Sequence, residues 1–523
     1  MIELTAAEVA SAVSGRLRGV AEPQSLLVDS ADTDSRNMGA EGSVHGALFI
    51  AKPGEATDGH LFIDAALRGG ARLVLAERET DGPDGTPHPA VIVNDVVAAM
   101  GRLAAEIVRR IRAHSPTTVI GITGSAGKTT TKDLLKALLE PEGPTVAPQG
   151  SYNGEVGLPL TVFTAALETR YLVLEMGADA PGNIAELCRI ATPDIGVVLM
   201  VGSAHAGKFG GADRIAQTKG ELTEAVPAEG HVILNADDAQ VAAMAGRASA
   251  PVTWFGEGEQ VEVQAQSLIL DDAGHPVFTL AHHDERAPDI RAPRNSPNSA
   301  GHDGDSATTT GIRVVSGLTG AHHVTNLLAA AAAALRAGVG LEDVAQRLTG
   351  LGPGSRWRME RTERPDGVTV INDAYNANPE SMREALKTLA RITRPQDGPA
   401  RRSVAVLGAM LELGTEHTIK HIQLGETVVR LNISKLLVVG EEAYQLYRGA
   451  VAEGSWDEEA HWVPTLEEAE EYLTAELRAG DVVLFKSSNG AGLRLLGDKI
   501  AAGTGAAVST DDLTGNGKAG SQC

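Results

Sequence analysis

The stretch from residue 118 to residue 140 constrains the fold more than any other part of this sequence. It begins with the apolar run TVIGIT, which is typical of a buried strand, and continues through the glycine turn GSAGK. The next residues, KTTTKDLLKALLE, repeat apolar side chains at intervals of three and four, which indicates an amphipathic helix. A strand that enters a helix through such a turn is typical of an α/β domain with a largely parallel sheet.

The same turn is a candidate phosphate-binding loop. Free backbone N–H groups and the positive dipole end at the start of a helix attract anions. Lys128 adds a positive charge for the β- and γ-phosphates, and the Thr129 hydroxyl is suited to binding Mg²⁺. The usual pattern has a glycine six residues before the lysine, but Ile122 holds that position and the glycine is Gly124. A turn that merely connects strand to helix is therefore the alternative.

Two further polar residues stand at the ends of apolar strands, where open α/β sheets bind ligands. Glu175 ends the run YLVLE, and His205 follows DIGVVLMVGSA. An acidic residue there also suits a helix cap or an ion pair, and a single histidine is more often structural. Together with the loop, the two residues predict a second Mg²⁺ site with one imidazole ligand. Lys219, 14 residues after His205, would by itself be a solvated surface lysine.

Breaks at glycine and proline divide the chain into three blocks and a tail. Residues 1–114 carry the strand candidates ALFIA, ARLVLAE and AVIVND, which predict a small α/β domain. Residues 115–350 add YLVLEMG, DIGVVLMVG and HVILNADD to the loop, and 285–311 is predicted to be a disordered excursion between strands. Residues 351–502 repeat the pattern with VTVIND, SVAVLGAML, SKLLVVG and DVVLFK. The low-complexity tail, 503–523, is predicted to be disordered.

Composition argues against several classes of function. A chain of 523 residues predicts three or four domains. The formal net charge of -23 and the 3% of aromatic residues argue against nucleic acid or an anionic membrane as a partner. There is no run of 18 apolar residues, no secretory signal, and no cysteine beyond Cys188 and Cys523. We therefore expect a cytoplasmic protein without stable membrane insertion.

In their order and spacing, the motifs resemble those of the Mur ligases, the ATP-dependent amide-forming family of peptidoglycan synthesis. TGSAGKTTT at 123–131 matches the family's loop, T-G-[ST]-x-G-K-T-T-[ST], which accounts for its short length. The similarity continues in SYNGEVGLPLT (151–161), NDAYNANPESM (372–382) and LGAMLELG (407–414). In the first block, DSR, GALFIAKPGE and DGH are similar to the substrate domain of the subgroup that uses UDP-N-acetylmuramoyl-tripeptide and D-alanyl-D-alanine.

This resemblance implies an α/β fold with the three-domain Mur ligase architecture. A small N-terminal α/β domain (1–114) would bind the UDP substrate, and a central P-loop ATPase domain (115–350) with a largely parallel sheet would bind ATP. A C-terminal Rossmann-like α/β domain (351–502) would complete the ligase. The implied reaction joins D-alanyl-D-alanine to UDP-N-acetylmuramoyl-tripeptide through an acyl phosphate, which gives the UDP-MurNAc-pentapeptide precursor of peptidoglycan. We expect a monomer with these two substrates as its partners.

The resemblance also implies roles for individual residues. Glu175 and His205 become ligands of the second of two Mg²⁺ ions, and Lys219 stands where the family carries a carbamylated lysine. With Lys128 these are the expected catalytic residues, and Thr129 is the remaining metal ligand. The expected ATP-binding residues are Gly124, Ser125, Ala126, Gly127, Lys128, Thr129, Thr130, Asn326, Arg356, Asp373 and Asn376. The expected substrate-binding residues are Ser35, Arg36, Asp58 and Asn153. For the residues beyond 350, ordinary turn and hinge chemistry is the alternative.

The chain departs from the subgroup's pattern at three positions. Asn153-Gly154 replaces consecutive asparagines, Ala409 stands where an acidic residue is common, and His323 replaces an asparagine in GAHHVTN. Another amide ligase of the superfamily, such as folylpolyglutamate synthetase, is the nearest alternative, and a P-loop nucleotide switch is a second. The first block argues against the folate enzyme, and a switch explains neither that block nor NDAYNANP. The third residue of the tripeptide, diaminopimelate or lysine, stays open.

Overall fold

The computed structural model describes residues 1–39, 44–54, 57–202, 212–283, 310–395, 398–454 and 459–503. Three predictions fall outside these ranges in whole or in large part: the excursion at 285–311, the tail at 503–523 and the position of His205. The described residues form four sheets, of two, five, nine and six strands. No helix in the described part of the chain is both long enough and apolar enough to cross a membrane.

The N-terminal part of the chain folds around a five-stranded sheet with the order β2-β7-β6-β5-β4. Its elements are β1 (Leu4–Thr5), α1 (Ala6–Val13), β2 (Arg16–Arg18), β3 (Leu27–Val28), β4 (Ser30–Asp32), β5 (Ala47–Ile50), α2 (Ile63–Arg68), β6 (Ala71–Ala76), β7 (Ala90–Ile92) and α3 (Val96–His114). Strands β4 to β7 are parallel neighbours, β2 runs antiparallel to β7, and β1 pairs with β3. The three predicted strands correspond to β5, β6 and β7.

The central part is built on a nine-stranded sheet with the order β16-β15-β14-β13-β12-β11-β8-β10-β9. Its elements are β8 (Thr118–Thr123), α4 (Lys128–Leu139), β9 (Thr145–Val146), α5 (Gly157–Val162), β10 (Tyr171–Glu175), α6 (Asn183–Ala191), β11 (Ile195–Val198), α7 (Ala212–Ala225), β12 (His231–Asn235), α8 (Ala239–Ala242), β13 (Val252–Gly256), β14 (Val263–Leu270), β15 (Pro276–His282), β16 (Thr310–Val315), α9 (His323–Arg336) and α10 (Leu341–Leu348). Seven strands are parallel, and β15 and β16 extend the sheet antiparallel.

The inner strands β8, β10, β11 and β12 are buried on both faces, which is why they read as continuous apolar runs. Along β8, Val119 belongs to the core that α3 and α6 cover, whereas Ile120 and Ile122 belong to the opposite core under α4 and α9. The alanines at 329–334 of α9 are all buried. Their small side chains let this helix approach the sheet closely.

The order of the strands places the phosphate loop at a topological switch point. From β8 the chain first fills the positions on one side, with β9 and β10, and then crosses to β11 on the other side. Glu175, at the end of β10, pairs in register with Ile122, and Val198 of β11 pairs with Thr123. The carboxyl ends of all three strands therefore meet at one crevice, where open α/β sheets bind ligands.

The C-terminal part forms a six-stranded sheet with the order β17-β18-β22-β19-β20-β21. Its elements are β17 (Glu360–Glu363), β18 (Thr369–Asn372), α11 (Pro379–Ile392), β19 (Ser403–Leu407), α12 (His417–Arg430), β20 (Lys435–Val439), α13 (Tyr444–Glu453), β21 (Ala460–Val463), α14 (Leu466–Glu476), β22 (Val482–Lys486) and α15 (Leu493–Ala502). All neighbours are parallel except β17 and β18. The four strands predicted in this block are β18, β19, β20 and β22.

Candidate nucleotide and metal site

The glycine loop between β8 and α4 is packed tightly against α9. Gly127 precedes the first residue of α4 and has a φ of +85°, which favours glycine. A Cβ on Gly127 would lie 2.2 Å from Oδ1 of Asn326, a buried residue of α9. The Lys128 Nζ folds back over the loop and donates to the carbonyl of Gly124 at 2.8 Å. The loop conformation is thus fixed by contacts within the protein.

The other end of the loop is attached to the residues that follow strand β11. The backbone N–H of Ser125 donates to the carbonyl of Met200 at 3.0 Å, and the Ser125 Oγ accepts from the N–H of Gly202 at 2.9 Å. Ala126 completes the turn, and Thr130 lies in the first turn of α4. These contacts hold the start of α4, with its free N–H groups, beside the ends of β10 and β11.

Replacing Gly127 with alanine is expected to lower the free energy of unfolding by about 2 kcal/mol or more. Both the positive φ and the close approach of Asn326 oppose a Cβ at this position. Chemical denaturation followed by circular dichroism measures the change. Gly246→Ala is the matched control, because a Cβ there meets nothing within 4 Å. Equal losses of stability in the two variants would contradict the described packing of the loop.

A cluster of oxygen-bearing side chains surrounds Glu175, whose residue is 1% exposed. Its Oε2 accepts from the Thr129 Oγ1 at 2.9 Å. Its Oε1 accepts from the Ser151 Oγ and from the Asn153 Nδ2, each at 2.9 Å. The hydroxyls of Thr129 and Ser151 are themselves 3.1 Å apart. A carboxylate and two hydroxyls at the start of a helix provide the hard oxygen ligands that Mg²⁺ prefers.

This cluster contains two residues whose position the sequence did not predict. Ser151 was not among the expected site residues, although it lies in the quoted motif SYNGEVGLPLT. Asn153 was expected to contact the substrate, and in the structure its side chain donates to Glu175. Within the described ranges, no three side chains of His, Cys, Asp or Glu lie close enough to hold a metal ion together. A metal at Glu175 would therefore depend on hydroxyls, water and ligand oxygens for its remaining contacts.

Lys219 is a buried lysine on α7, with 6% of the residue exposed. Burial, together with the positive charge of Lys128, lowers the pKa of Lys219 to about 7. Burial also lowers the pKa of Lys128, whereas the nearby Glu175 carboxylate acts in the opposite direction. The lowered pKa means that a larger share of Lys219 is the neutral amine near neutral pH than for an ordinary surface lysine.

The C-terminal part reaches the phosphate loop through Arg358. The Arg358 guanidinium donates to the Thr129 Oγ1 at 3.2 Å. Arg356, the arginine that the sequence singled out, instead donates to the Asp498 Oδ2 at 2.9 Å and is largely exposed. The motif SRWRME contains both arginines two residues apart, and only Arg356 was among the expected ATP-binding residues.

Asp373 and Asn376 are held by a buried lysine in the loop that follows β18. The Lys486 Nζ donates to the Asp373 Oδ2 at 2.6 Å and to the carbonyl of Asn376 at 3.0 Å. The other carboxylate oxygen of Asp373 accepts from the N–H of Met359 at 3.1 Å. These contacts connect the NDAYNANP motif to the segment that carries Arg358.

Asn326, on α9, contacts the helix α4, and Thr130 is part of that helix. The Asn326 Oδ1 accepts from the Thr131 Oγ1 at 3.4 Å, and its Nδ2 lies 3.2 Å from the Nδ1 of His323. Thr130 lines a cleft of about 10 Å³ between α4 and the segment 352–358, with Asp133, Leu134, His323 and Arg358 among the other lining residues. That volume has room for about one water molecule.

The expected substrate residues of the first block lie in two capped turns. Asp34 caps the short helix Ser35–Asn37 and accepts from the Nε of Arg36 at 2.8 Å. Asp58 caps a second turn and pairs with Arg78, which together with His60 holds the pKa of Asp58 well below its usual range. The structure therefore gives both aspartates a local structural contact.

Tyr152 lies where the first block comes close to the phosphate loop. It follows Ser151 directly, and burial raises the pKa of its hydroxyl. The negative charges of Asp32 and Asp34, and the C-terminal Tyr375, add to this rise in the pKa of Tyr152. Since such charges act over short distances, residues from all three parts of the chain lie near Tyr152.

Comparison with known proteins identifies the family of this chain. The model described as "Mur ligase family, catalytic domain" matches residues 30–126, "Mur ligase middle domain" matches 122–334, and "Mur ligase, glutamate ligase domain" matches 357–489. The chain belongs to the Mur ligase family. It is an enzyme that forms an amide bond at the expense of ATP, as the sequence predicts.

Two curated relatives from different organisms carry the same name. UDP-N-acetylmuramoyl-tripeptide--D-alanyl-D-alanine ligase from Mycobacterium tuberculosis (strain ATCC 25618 / H37Rv) is 42% identical over 96% of this chain and 98% of its own length. The enzyme of that name from Bacillus subtilis (strain 168) is 31% identical over 94% of this chain and 96% of its own length.

Solved structures of similar proteins agree with the fold. A crystal structure of MurF from Acinetobacter baumannii superposes with a TM-score of 0.78 at 28% identity, covering 96% of this chain and 99% of that chain. MurF ligase from Thermotoga maritima in complex with ADP gives a TM-score of 0.70 at 28% identity, over 90% of this chain and 97% of that chain. The predicted resemblance and the predicted fold class, α/β with three Mur ligase domains, are confirmed. The predicted domain boundaries and the roles of the site residues stay predictions.

Proposed function

We propose that this chain joins D-alanyl-D-alanine to UDP-N-acetylmuramoyl-tripeptide with hydrolysis of ATP to ADP and phosphate. The observation that carries the proposal is the 42% identity over 96% of the chain to the M. tuberculosis ligase of that name. The N-terminal block and the NDAYNANP motif both lie within this length. Because ATP and the UDP substrate are made inside the cell, we place the reaction in the cytoplasm, and we propose a monomer.

The chemistry requires an activated acyl group, because a carboxylate oxygen is a poor leaving group at neutral pH. The terminal carboxylate of the tripeptide attacks the γ-phosphorus of ATP, which gives an acyl phosphate and ADP. The amine of the dipeptide then attacks the acyl carbon and loses a proton, and phosphate leaves. Lys128, Arg358 and the N–H groups at the start of α4 would neutralise phosphoryl oxygens and bring these anions together.

The residues around Glu175 fit a bound Mg²⁺. Thr129, Glu175 and Ser151 supply oxygens within hydrogen-bond distance of one another. When bound, Mg²⁺ would withdraw charge from the phosphoryl oxygens.

A second ion would be held by Glu175, His205 and Lys219, the last as a carbamate. Addition of CO₂ to the neutral amine of Lys219, with loss of a proton, converts a cation into an oxygen ligand, and the lowered pKa of Lys219 favours that reaction.

Lys219→Ala is expected to lower kcat by about 10²-fold or more, because the carbamate would be lost. Short carboxylates such as acetate, or high bicarbonate, would restore part of the activity by occupying the space of the missing group. Phosphate release with and without these anions measures the effect. Lys136→Ala is the control, since Lys136 is half-exposed on the surface of α4. Full activity of Lys219→Ala without added anion would contradict the assignment.

The hydrogen bond from Arg358 to Thr129, which joins the C-terminal part to the phosphate loop, supports a closing movement of the C-terminal domain. We propose that the domain opens to admit ATP and closes before the acyl phosphate forms, so that water is kept from that intermediate. Ser35, Arg36, Asp58 and Asn153 are retained as proposed contacts of the UDP substrate.

An acceptor panel tests the proposed substrate. Phosphate release is measured with Mg-ATP and UDP-N-acetylmuramoyl-tripeptide, in its diaminopimelate and lysine forms, and with D-alanyl-D-alanine, D-alanine, L-alanine or no acceptor. We expect release to depend on the dipeptide. Release that is equal with single amino acids would favour another amide ligase of the family.

A further inference from the structure

The segment 356–360, which carries Arg358, has an unusual backbone conformation. Trp357 has a φ of +60° and Met359 a φ of +53°, and both values lie in the left-handed region. Bulky residues rarely adopt this region, because their Cβ approaches the following carbonyl oxygen. Two such residues therefore flank the single arginine that contacts Thr129 in the described structure.

The surrounding structure holds this conformation in place. The N–H of Trp357 donates to the Glu360 carboxylate at 2.9 Å, and the N–H of Met359 donates to the Asp373 Oδ1 at 3.1 Å. The Met359 side chain is buried in the C-terminal core. Strained backbone that is fixed by its neighbours in this way is found mainly at functional sites.

A stack of rings and guanidinium groups continues from Arg358 into the C-terminal domain. The guanidinium carbon of Arg358 lies 4.5 Å from the ring centre of Tyr375. That ring is nearly parallel to the indole of Trp357, at 6.3 Å between centres and an angle of 12°. The indole Nε1 donates to the Asp498 carboxylate at 2.9 Å. Asp498 lies on α15 and also accepts from the buried Asn372 at 3.0 Å, so the far end of the stack is anchored.

The polar contacts of Arg358 are too few to fix the orientation of its guanidinium group, which therefore depends on the ring stack. One terminal nitrogen donates to Thr129, whereas the Nε is buried and has no hydrogen-bond partner among the described residues. A planar guanidinium group is favoured over the face of an aromatic ring. The ring of Tyr375 therefore fixes the plane of the Arg358 guanidinium, and the strained turn fixes where its side chain begins.

We propose that Tyr375 and Trp357, anchored by Asp498, are positioning residues that hold Arg358 at the phosphate loop for the ligation reaction. This inference rests on the proposed function in one respect, because it takes Arg358 to act on the transferred phosphoryl group. The three residues act through Arg358. Loss of any one of them is expected to move the guanidinium away from Thr129 without removing its charge.

A double-mutant cycle between Tyr375 and Arg358 tests the proposal. Tyr375→Leu, which removes the ring face, is expected to lower kcat by about ten- to a hundred-fold, with a smaller effect on the KM for the dipeptide. In the Arg358→Ala background the same change is expected to alter kcat by less than about two-fold. Tyr375→Phe keeps the ring face and is expected to recover most of the lost kcat. Equal losses in both backgrounds would overturn the proposal, because Tyr375 would then act independently of Arg358.

A binding measurement keeps this test separate from the substrate proposal. The same variants are titrated with a non-hydrolysable ATP analogue and Mg²⁺ by calorimetry, which needs no peptide substrate. We expect the loss of affinity from Tyr375→Leu to disappear in the Arg358→Ala background, and additive losses would count against the proposal. Tyr444→Leu removes a ring that packs on Trp462 in the same domain and serves as control. If Tyr375→Leu fails to fold, Asp498→Ala combined with Arg358→Ala provides a second double-mutant cycle.

Discussion

Replacing Lys128 with methionine is expected to lower kcat by at least about 10³-fold. Methionine has a similar length but no charge, so the variant fills the same space while it loses the cation at the start of α4 and the hydrogen bond to Gly124. The Lys128 Nζ lies 2.8 Å from the carbonyl of Gly124, where it covers the loop that would hold the β- and γ-phosphates. Phosphate release at saturating Mg-ATP, dipeptide and UDP-tripeptide measures the change.

Lys136→Met is the matched control for this experiment. Lys136 lies on the same helix, is half-exposed, and pairs with Glu140 at 3.4 Å. An exposed pair of this kind contributes little to stability, so the control is expected to keep its activity. If Lys128→Met retained the kcat of the control, the loop would not be the site of phosphoryl transfer.

Glu175→Gln is expected to lower kcat by about 10²- to 10³-fold and to raise the Mg²⁺ concentration needed for half-maximal activity. Glutamine preserves the shape of the side chain but removes the negative charge that would hold the ion. It also presents an amide N–H₂ group to Thr129 or Ser151, whose hydroxyls donate to the carboxylate in the structure. Phosphate release is measured over a series of Mg²⁺ concentrations.

Glu186→Gln is the control for charge removal in the same domain, since Glu186 is an exposed residue of α6. Thermal denaturation of both variants shows whether the loss of activity reflects misfolding. An unchanged Mg²⁺ dependence in a folded Glu175→Gln variant would exclude Glu175 as a metal ligand. It would leave the carboxylate with the structural role of joining Thr129, Ser151 and Asn153.

The elements that the sequence predicted best are those buried on both faces of a parallel sheet. Strand β8 and helix α4 were predicted within one residue of their observed bounds, because their apolar periodicity continues up to a glycine turn. Strands β13 to β16 were not singled out. In β14, for example, the first three residues are buried and the rest alternate between partly buried and exposed, which blurs the pattern. Strands of two residues, such as β1 and β9, carry too little periodicity to detect.

The candidate site was predictable where one short motif creates it. Lys128, Thr129 and Glu175 follow from a loop and a strand end that come together at the switch point of the sheet. Arg358 contacts Thr129 across 229 positions of sequence, and no local pattern encodes that pairing. Its position depends on how the C-terminal domain is placed and on the backbone of the segment 356–360. The structure was therefore needed to distinguish Arg358 from Arg356.

The central claim is tested most directly by the product of the complete reaction. Purified protein is incubated with Mg-ATP, UDP-N-acetylmuramoyl-tripeptide and D-alanyl-D-alanine, and product mass and released phosphate are measured in the same sample. We expect a UDP-MurNAc-pentapeptide that contains both alanines of the dipeptide, with one phosphate released for each molecule formed. Phosphate release without the dipeptide at the same rate, or no pentapeptide despite ATP hydrolysis, would contradict the proposed ligation.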